Sequence, residues 1–462
     1  MKQIRNVAVI DIGKTNAKVA LYDLVERRED HVQTSPNAVL RDGPYPHYDI
    51  EGLWRFFLDS LASIGRQARI DRIVTAAHGA SITLVDAAGD LALPMLDYEF
   101  EGPDSLKDDY DRIRPPFSET GSPRLVAGLN VGAQLHWLSR TFPEAFARTT
   151  SIMPYPQYWA MRLSGVRASE ATSLGAHGDI WDPWRPDFSS LVDHLGWRPL
   201  FPPMSRPFDI LGPLRAEIAA ATGLAADTPV LSGIHDSNAS LLTHLASVPP
   251  PFSVVSTGTW VICLSVGGRA LALDERRDTL VNVDAFGNPV PSSRFMGGRA
   301  FAMLGPDASA PIADADRDQV LDGGVMLLPA LPDDSGPYRG RKAEWRGDPA
   351  SLGPGGYLYA VSLYLGMMTA VSLEAIGADG PVIVDGPFAR NVTFLEALAV
   401  VTGRKVLIGG SGATGTSAGA ALLALGPDAR IASCNRVADV VPDPRIAGYA
   451  AKWRRLAEAG QG

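Results

Sequence analysis

The residues of this chain best suited to chemistry sit at short turns that close apolar runs. The first turn reads Asp11-Ile12-Gly13-Lys14-Thr15-Asn16-Ala17-Lys18. Phosphate oxygens need donors at short range and no side-chain bulk between them and the main chain. Gly13 permits that approach, Thr15 and Asn16 add side-chain donors, and Lys14 or Lys18 adds positive charge. Asp11, near the end of its run, can orient Mg2+ through water, the way this hard cation is usually held. The spacing is not the P-loop pattern, and the plain alternative is a hairpin turn that only needs glycine.

A second turn, Ser256-Thr257-Gly258-Thr259, lies about half a chain away and sets three hydroxyls around a glycine. Its plain alternative is a Thr-rich strand end. Its likeness to the first turn predicts that Thr257, Gly258 and Thr259 bind phosphate too. The copies differ where Asp11 becomes Ser256, so only the first carries a metal-orienting carboxylate at that position. A third motif, Gly233-Ile234-His235-Asp236-Ser237-Asn238, puts a carboxylate just after a strand and at the start of a helix. Open α/β sheets keep their sites at such strand ends. Asp236 can be the base that takes a proton from a substrate hydroxyl, or simply a helix N-cap. His235 reads either as its neighbour in a site or as a packed residue. The fourth motif is Asp385-Gly386-Pro387-Phe388-Ala389-Arg390-Asn391, a strand–glycine–helix turn able to accept a flat adenine ring. Downstream, Gly409-Gly410-Ser411-Gly412 has linker composition, and 413–421 suits close helix packing equally well.

These turns need elements to hold them. Residues 7–12 read as a buried strand and 17–25 as its hairpin partner, with 31–40 a third strand. Leu53, Trp54, Phe57, Leu58, Leu61 and Ile64 recur at helical spacing behind Asp49, a suitable N-cap. A strand over 71–77 runs into His78-Gly79, and 82–86 with 91–96 predict a hairpin around Ala87-Ala88-Gly89-Asp90. Helices are expected over 133–142, ended by Pro143, over 156–164, and over 238–245. The second half repeats the order: strands at 252–257 and 260–266, a helix over 356–376, a strand at 381–386, a helix over 391–402, a strand at 405–408 and a small-residue helix over 416–425. Residues 267–350 read as loops and short strands. Hairpin, helix, then strand-to-glycine in both halves indicates a duplicated α/β unit. The triple proline at 249–251 marks the junction, giving expected domains 1–248 and 249–462.

Bulk properties narrow the class. A chain of 462 residues exceeds one ordinary core. Its net charge of −9 argues against nucleic acid as the main partner. Two cysteines, Cys263 and Cys434, imply neither a disulfide framework nor a zinc site, and fit a reducing compartment. The first apolar run is cut by Asp11, unlike a signal peptide, and no uninterrupted apolar stretch reaches the roughly 20 residues that span a bilayer. The expectation is a cytoplasmic protein without a membrane partner, and a homodimer is the prior for such a protein.

Taken together, the set resembles the FGGY family of carbohydrate kinases, within the actin-like ATPase superfamily. The resemblance rests on the order of Asp11 to Asn16, Ala77-His78-Gly79, Gly233 to Asp236, Ser256 to Trp260, Gly386 to Asn391 and Ser417 to Leu422. His235 to Ser240 and Ser256 to Trp260 look most like the rhamnulokinase and fuculokinase branch, which acts on 6-deoxyketoses. It implies an α/β fold of two related actin-like (ribonuclease H-like) domains with an ATP cleft between them. It also implies ATP and Mg2+, a small sugar substrate, and Asp236 as base, with Asp11 and Asp236 supporting the metal. The sugar would lie near His78, Gly79, Tyr98, Glu99, Gln157 and His235, with Tyr158 and Trp159 as further faces or as packing. Gly386 and Asn391 would serve the nucleotide ring. The family's Trp-x-Asp-x-Arg sugar stretch appears here as Leu96-Asp97-Tyr98-Glu99-Phe100, and its glycine-rich adenine turn as Asp385-Gly386-Pro387.

Overall fold

A computed structural model of the chain describes residues 4–410 and 415–459. They group into two compact units. The first holds the described residues of Met1–Ser247, Val281–Pro289 and Thr414–Ala432, and the second those of Val248–Leu280, Val290–Ala413 and Ser433–Gly462. Residues 281–289 and 415–432, expected within 249–462, therefore pack in the first unit.

The first unit is built on a sheet of β1 (Asn6–Ile12), β2 (Asn16–Asp23), β3 (Arg28–Pro36), β4 (Arg72–Ala77), β5 (Ile210–Pro213) and β6 (Pro229–Leu231), ordered β5-β6-β4-β1-β2-β3, with the short β7 (Ile234–His235) also on β4. Val7, Ala8, Val9 and Ile10 are all fully buried, the pattern of a strand covered on both faces. At the sheet's edge β3 carries Arg28, Glu29, Asp30 and His31, charges that discourage pairing with another chain. The helix α1 (Ile50–Gly65) starts where Asp49 accepts a hydrogen bond from the Gly52 amide at 2.8 Å, and it buries Leu53, Trp54, Phe57, Leu61 and Ile64.

The second unit repeats this plan with β8 (Phe252–Thr257), β9 (Val261–Val266), β10 (Pro289–Phe295), β11 (Val382–Asp385), β12 (Val406–Ile408) and β13 (Arg436–Val437), ordered β10-β9-β8-β11-β12-β13. In each unit the first strand is antiparallel to the second and parallel to the strand that follows the helix (β1 with β2 and β4, β8 with β9 and β11). The second strand is antiparallel to the third in both.

Two expectations change. Ile82–Val85 does not form a hairpin with 91–96. It pairs with Ser151–Pro154, and only an isolated Val85–Leu91 bridge remains of the expected partner. Pro143 ends the helix Val131–Thr141, as expected, and also opens a short one, Pro143–Phe146, because a proline is tolerated in a first turn. The stretch read as loops and short strands contains two eight-residue helices, α4 (Gly297–Leu304) and Asp314–Leu321, each little more than two turns long. In the first unit, α2 (Tyr155–Ser164) and α3 (Asp236–Leu245) flank the candidate base. In the second, α5 (Pro354–Ala375) is long and apolar enough to cross a membrane, and 94% of that window is buried inside the protein. It is the central helix of the core, followed by α6 (Val392–Thr402).

The small-residue helix α7 (Gly415–Leu422) packs on α3 within the first unit. A Cβ on Gly419 would stand 1.7 Å from the Ala239 carbonyl oxygen, so only glycine allows this approach. Residues 411–414, which include Ser411 and Gly412 of the expected linker, lie outside the described residues.

Candidate active site

The first hairpin turn closes with Gly13 N–H donating to the Asn16 carbonyl at 2.9 Å. Asn37, which sequence reasoning missed, fastens the loop. Its amide nitrogen donates to the Gly13 carbonyl and its backbone N–H to the Thr15 carbonyl, both at 2.9 Å. Thr15 and Asn16 are exposed. The second turn is one residue shorter: Ile12 pairs with Ala17, whereas Thr257 pairs with Val261. Gly258 has no positive φ, and the nearest atom to an added Cβ is the Trp260 oxygen at 3.9 Å. The fold does not require glycine at 258, and the space beside it is open to a ligand. Gly13 likewise has no positive φ, with one atom, the Asn16 oxygen, at 3.2 Å. Gly386 differs: its φ is +85° and a Cβ would lie 2.0 Å from the Thr257 oxygen, so the backbone itself demands glycine there.

Three predicted phosphate contacts have other partners. Thr257 Oγ1 donates to the Asp385 carbonyl at 2.5 Å and accepts from Phe388 N–H at 3.1 Å, binding the strand end to the Gly386 turn. Lys14 turns toward the expected sugar residues. Its ammonium pairs with Asp97, lies 3.4 Å from Glu99 Oε2 and 3.2 Å from Tyr48 Oη, and rests over the Tyr98 ring at 4.7 Å. Lys18 sits 2.6 Å from Glu29 and 3.6 Å from Asp11.

Asp236 is the first residue of α3, not its N-cap. That place is taken by His235, whose side chain makes no capping bond. Desolvation pushes the Asp236 carboxyl up to about 6, opposed by hydrogen bonds from Ser237. Asp11 is also pushed up to about 6, by burial first, against the pull of Lys18 and with the negative charge of Asp236 adding to it. His235 and His78 are buried and pushed down to about 4, so both rings are neutral. The Gly79 backbone lies against the His235 ring, where a Cβ would meet Nε2 at 2.7 Å. His78 is surrounded by Tyr48, Tyr98 and Tyr155 at 5.2–5.5 Å between ring centroids, and its buried Nε2 has no hydrogen-bond partner among the described residues. That aromatic surround with an unused polar atom suits a polyhydroxy ligand with apolar C–H patches.

Gln157 is fully buried and donates to the Ser232 and Gly233 carbonyls at 3.1 and 3.2 Å, steadying the turn before Asp236. Tyr158 and Trp159 are core residues: Trp159 stacks on Trp54 with centroids 6.1 Å apart. Glu170 and Thr172, also missed, form a buried support. Glu170 accepts from Thr172 N–H and Oγ1–H at 2.8 and 2.5 Å, and Thr172 Oγ1 accepts from His235 N–H at 3.0 Å. Nothing in their local sequence pattern marks them, since the partner lies sixty residues on.

In the second unit, a pocket of about 920 Å³ is lined by Gly258, Thr259, Arg299, Phe301, Phe388 and Asn391 among others. Asn391 caps α6 through Phe394 N–H and donates to Ser362 Oγ at 2.9 Å, so its side chain shapes the pocket wall. Gly386 is not part of that lining.

With this geometry in view, the comparisons are specific. Residues 7–243 match the FGGY family of carbohydrate kinases, N-terminal domain, and 249–432 match carbohydrate kinase FGGY, C-terminal domain. The chain belongs to the FGGY family of carbohydrate kinases. It is 36% identical to a carbohydrate kinase from Novosphingobium aromaticivorans of known crystal structure, with a TM-score of 0.91 over 100% of both chains. Over 273 residues it is 24% identical to L-fuculokinase of Escherichia coli K12, covering 56% of this chain and 56% of that protein. It therefore spans about half the length of the curated relatives of that group. Xylulose kinase of Escherichia coli K12 is 25% identical over 442 residues, 90% of this chain and 88% of that protein. The two α/β units are thus those of the FGGY fold, which is actin-like.

FGGY kinases use ATP and typically Mg2+. Among the described residues no group of three or more His, Cys, Asp and Glu side chains could hold a metal alone. Two desolvated carboxylates that sense each other's charge, Asp11 and Asp236, nevertheless fit Mg2+, which keeps most of its waters and needs few protein ligands.

Proposed function

We propose that this chain transfers the γ-phosphoryl group of ATP to a hydroxyl of a small ketose, with 6-deoxyketoses such as L-rhamnulose and L-fuculose the first candidates. The observation that carries the reading is Asp236: a desolvated carboxylate at a strand end, beside a neutral His235 and electrostatically coupled to Asp11 of the first hairpin. The likeness to L-fuculokinase supports the choice of sugar.

In this reading Asp236 accepts the hydroxyl proton as the oxygen attacks phosphorus, and a carboxylate suffices because the transition state is loose and the proton leaves late. Most of the catalytic effect is then positioning. Gly13, Thr15 and Asn16 present backbone and side-chain donors to phosphate oxygens, as do Gly258 and Thr259 in the second unit. The 920 Å³ pocket takes the adenosine, with Phe301 and Phe388 as apolar faces. Asp11 and Asp236 would hold Mg2+, which supplies charge neutralisation of the phosphates. His78, Tyr98, Glu99 and His235 contact the sugar, and Gly79 gives the His235 ring its place.

The test is ADP release at constant ATP and Mg2+ across ketoses, polyols and sugar acids, with L-rhamnulose and L-fuculose first. Sugar-dependent release that is lost in Asp236→Asn supports the reading. A pentulose, glycerol or erythritol as preferred acceptor would replace the sugar but keep the kinase. ATP turnover indifferent to every acceptor, or sugar binding without turnover, would reject it in favour of a conformational ATPase or a sensor.

A further inference from the structure

The position of Lys14 bears on which acceptors the site admits. It lies in the phosphate-type turn of the first hairpin, yet its ammonium is held away among Asp97, Glu99 and Tyr48, over the rings of Tyr98 and Tyr48. The pair is well sheltered: side-chain exposure is 21% for Lys14 and 9% for Asp97. Asp97 is held in turn by the Glu99 backbone N–H at 3.2 Å.

The charges in this part of the first unit do not balance. Leaving aside Asp11 and Asp236, which would hold Mg2+, the carboxylates here are Asp97, Glu99 and Glu29. Against them stand Lys14 and Lys18, and each already has two carboxylate partners. His78, packed among Tyr48, Tyr98 and Tyr155, contributes no positive charge. A substrate carboxylate would meet surplus negative charge and no unpaired cation among these described residues. Hydroxyl groups meet the opposite situation. They donate to Asp97 and Glu99, accept from the Lys14 ammonium, and lay C–H faces on Tyr98.

We propose that Lys14, clamped by Asp97 and Glu99, restricts the acceptor of this kinase to uncharged sugars and polyols and excludes sugar acids. Lys14 is then a specificity-determining residue of the sugar site, not a phosphate ligand. The inference rests on the sugar-kinase reading above. Like-charge juxtaposition rejects a wrong ligand more firmly than a missing contact does, and a polar site left unpaired discriminates by large factors.

The experiment uses the full chain and two readouts. Calorimetry compares binding of L-fuculose, as the ketose, with D-gluconate, and ADP release gives kcat/KM for each. Wild type should favour the ketose by at least about 30-fold in both. Glu99→Gln, at an exposed carboxylate, and Asp97→Asn/Glu99→Gln should free the ammonium and raise the gluconate-to-ketose ratio about 10-fold. Lys14→Met should weaken ketose binding without admitting gluconate. Equal wild-type affinity for gluconate, a ratio unmoved in Glu99→Gln, or a Lys14→Met effect confined to the KM for ATP would overturn the proposal. If no compound raises ADP release, the kinase reading fails, and the calorimetric ranking still decides this one; absence of binding by both compounds also overturns it.

Discussion

The Nε2 of His235 lies 3.2 Å from Oδ1 of Asp236, and the tautomer of that ring follows from its other side. Asn238 Nδ2 faces the Thr172 carbonyl at 3.5 Å and His235 Nδ1 at 3.0 Å, so Nδ1 is the acceptor of an amide N–H. Nε2 then carries the proton on the side that faces Asp236. The candidate base is therefore flanked by a neutral ring that does not compete for its charge. Replacing Asp236 by Asn keeps the size and removes the basicity. The expected result is a loss of at least ~100-fold in sugar-dependent kcat, the lower range for general-base catalysis. Because the carboxylate is desolvated, the same variant should melt at an equal or higher temperature, which differential scanning calorimetry reads directly.

Glu170 provides a pH test away from the reacting groups. Burial pushes its carboxyl up to about 7 from an ordinary 4.5, despite hydrogen bonds from Thr172. A folded pKa above the unfolded one means the folded state binds the proton more tightly. The stabilisation is full below about pH 4.5 and is lost as pH rises through about 7. Asp11 and Asp236 act in the same sense near pH 6. Melting temperature should fall between pH 5 and pH 8, and Glu170→Gln should flatten that slope by the equivalent of roughly 1–3 kcal/mol. A slope identical to wild type would count against a protonated Glu170.

The glycines of the second unit separate ligand space from fold space. At Gly258 a methyl group meets nothing closer than 3.9 Å, so Gly258→Ala should fold normally and raise the KM for ATP about 10-fold by intruding on the phosphates. At Gly298, the second residue of α4, a methyl group would stand 1.9 Å from the Gly258 carbonyl oxygen. Gly298→Ala should therefore lower stability and ATP affinity together. An unchanged KM in Gly258→Ala would move the phosphate site elsewhere.

Asn37 holds the first hairpin loop by two hydrogen bonds to its carbonyls, one of them from its side chain. Asn37→Ala should cost about 1 kcal/mol of stability, the usual worth of one such bond. It should also raise the KM for ATP while leaving sugar affinity, measured by calorimetry, within twofold.

Elements with strong periodicity or a cap were legible in the sequence. Helix α1 was readable from its apolar stripe and Asp49, and β1, β8 and β11 from their largely apolar runs. Partners distant along the chain were not. Ile82–Val85 finds its partner at Ser151–Pro154, and the hydroxyl of Thr257 is taken by the turn after Asp385; local pattern carries no information on either. The duplication is also subtler than a missing acid. Asp11 stands across the parallel pair from Ala76, whereas Ser256 stands across from Asp385, so the second unit carries its carboxylate one strand over. At the candidate site, Asp11 and Asp236 were visible as acids at strand ends. Asn37 and Glu170 were not, because their roles depend on which distant groups burial forces them to meet.

The contact of Gly419 with the Ala239 carbonyl has a consequence for how the chain is assembled. The helix that begins with Asp236 is covered by Ala418, Ala420, Ala421 and Leu422, which share a core with Val7, Val9, Ala239 and Leu242. During synthesis those covering residues leave the ribosome some 180 residues after Asp236. Until then the first unit has an open apolar seam beneath its candidate base. Its maturation must wait for most of the second unit to be made, and a fragment ending near residue 248 would expose that seam and require a peptide spanning 414–432 to close it.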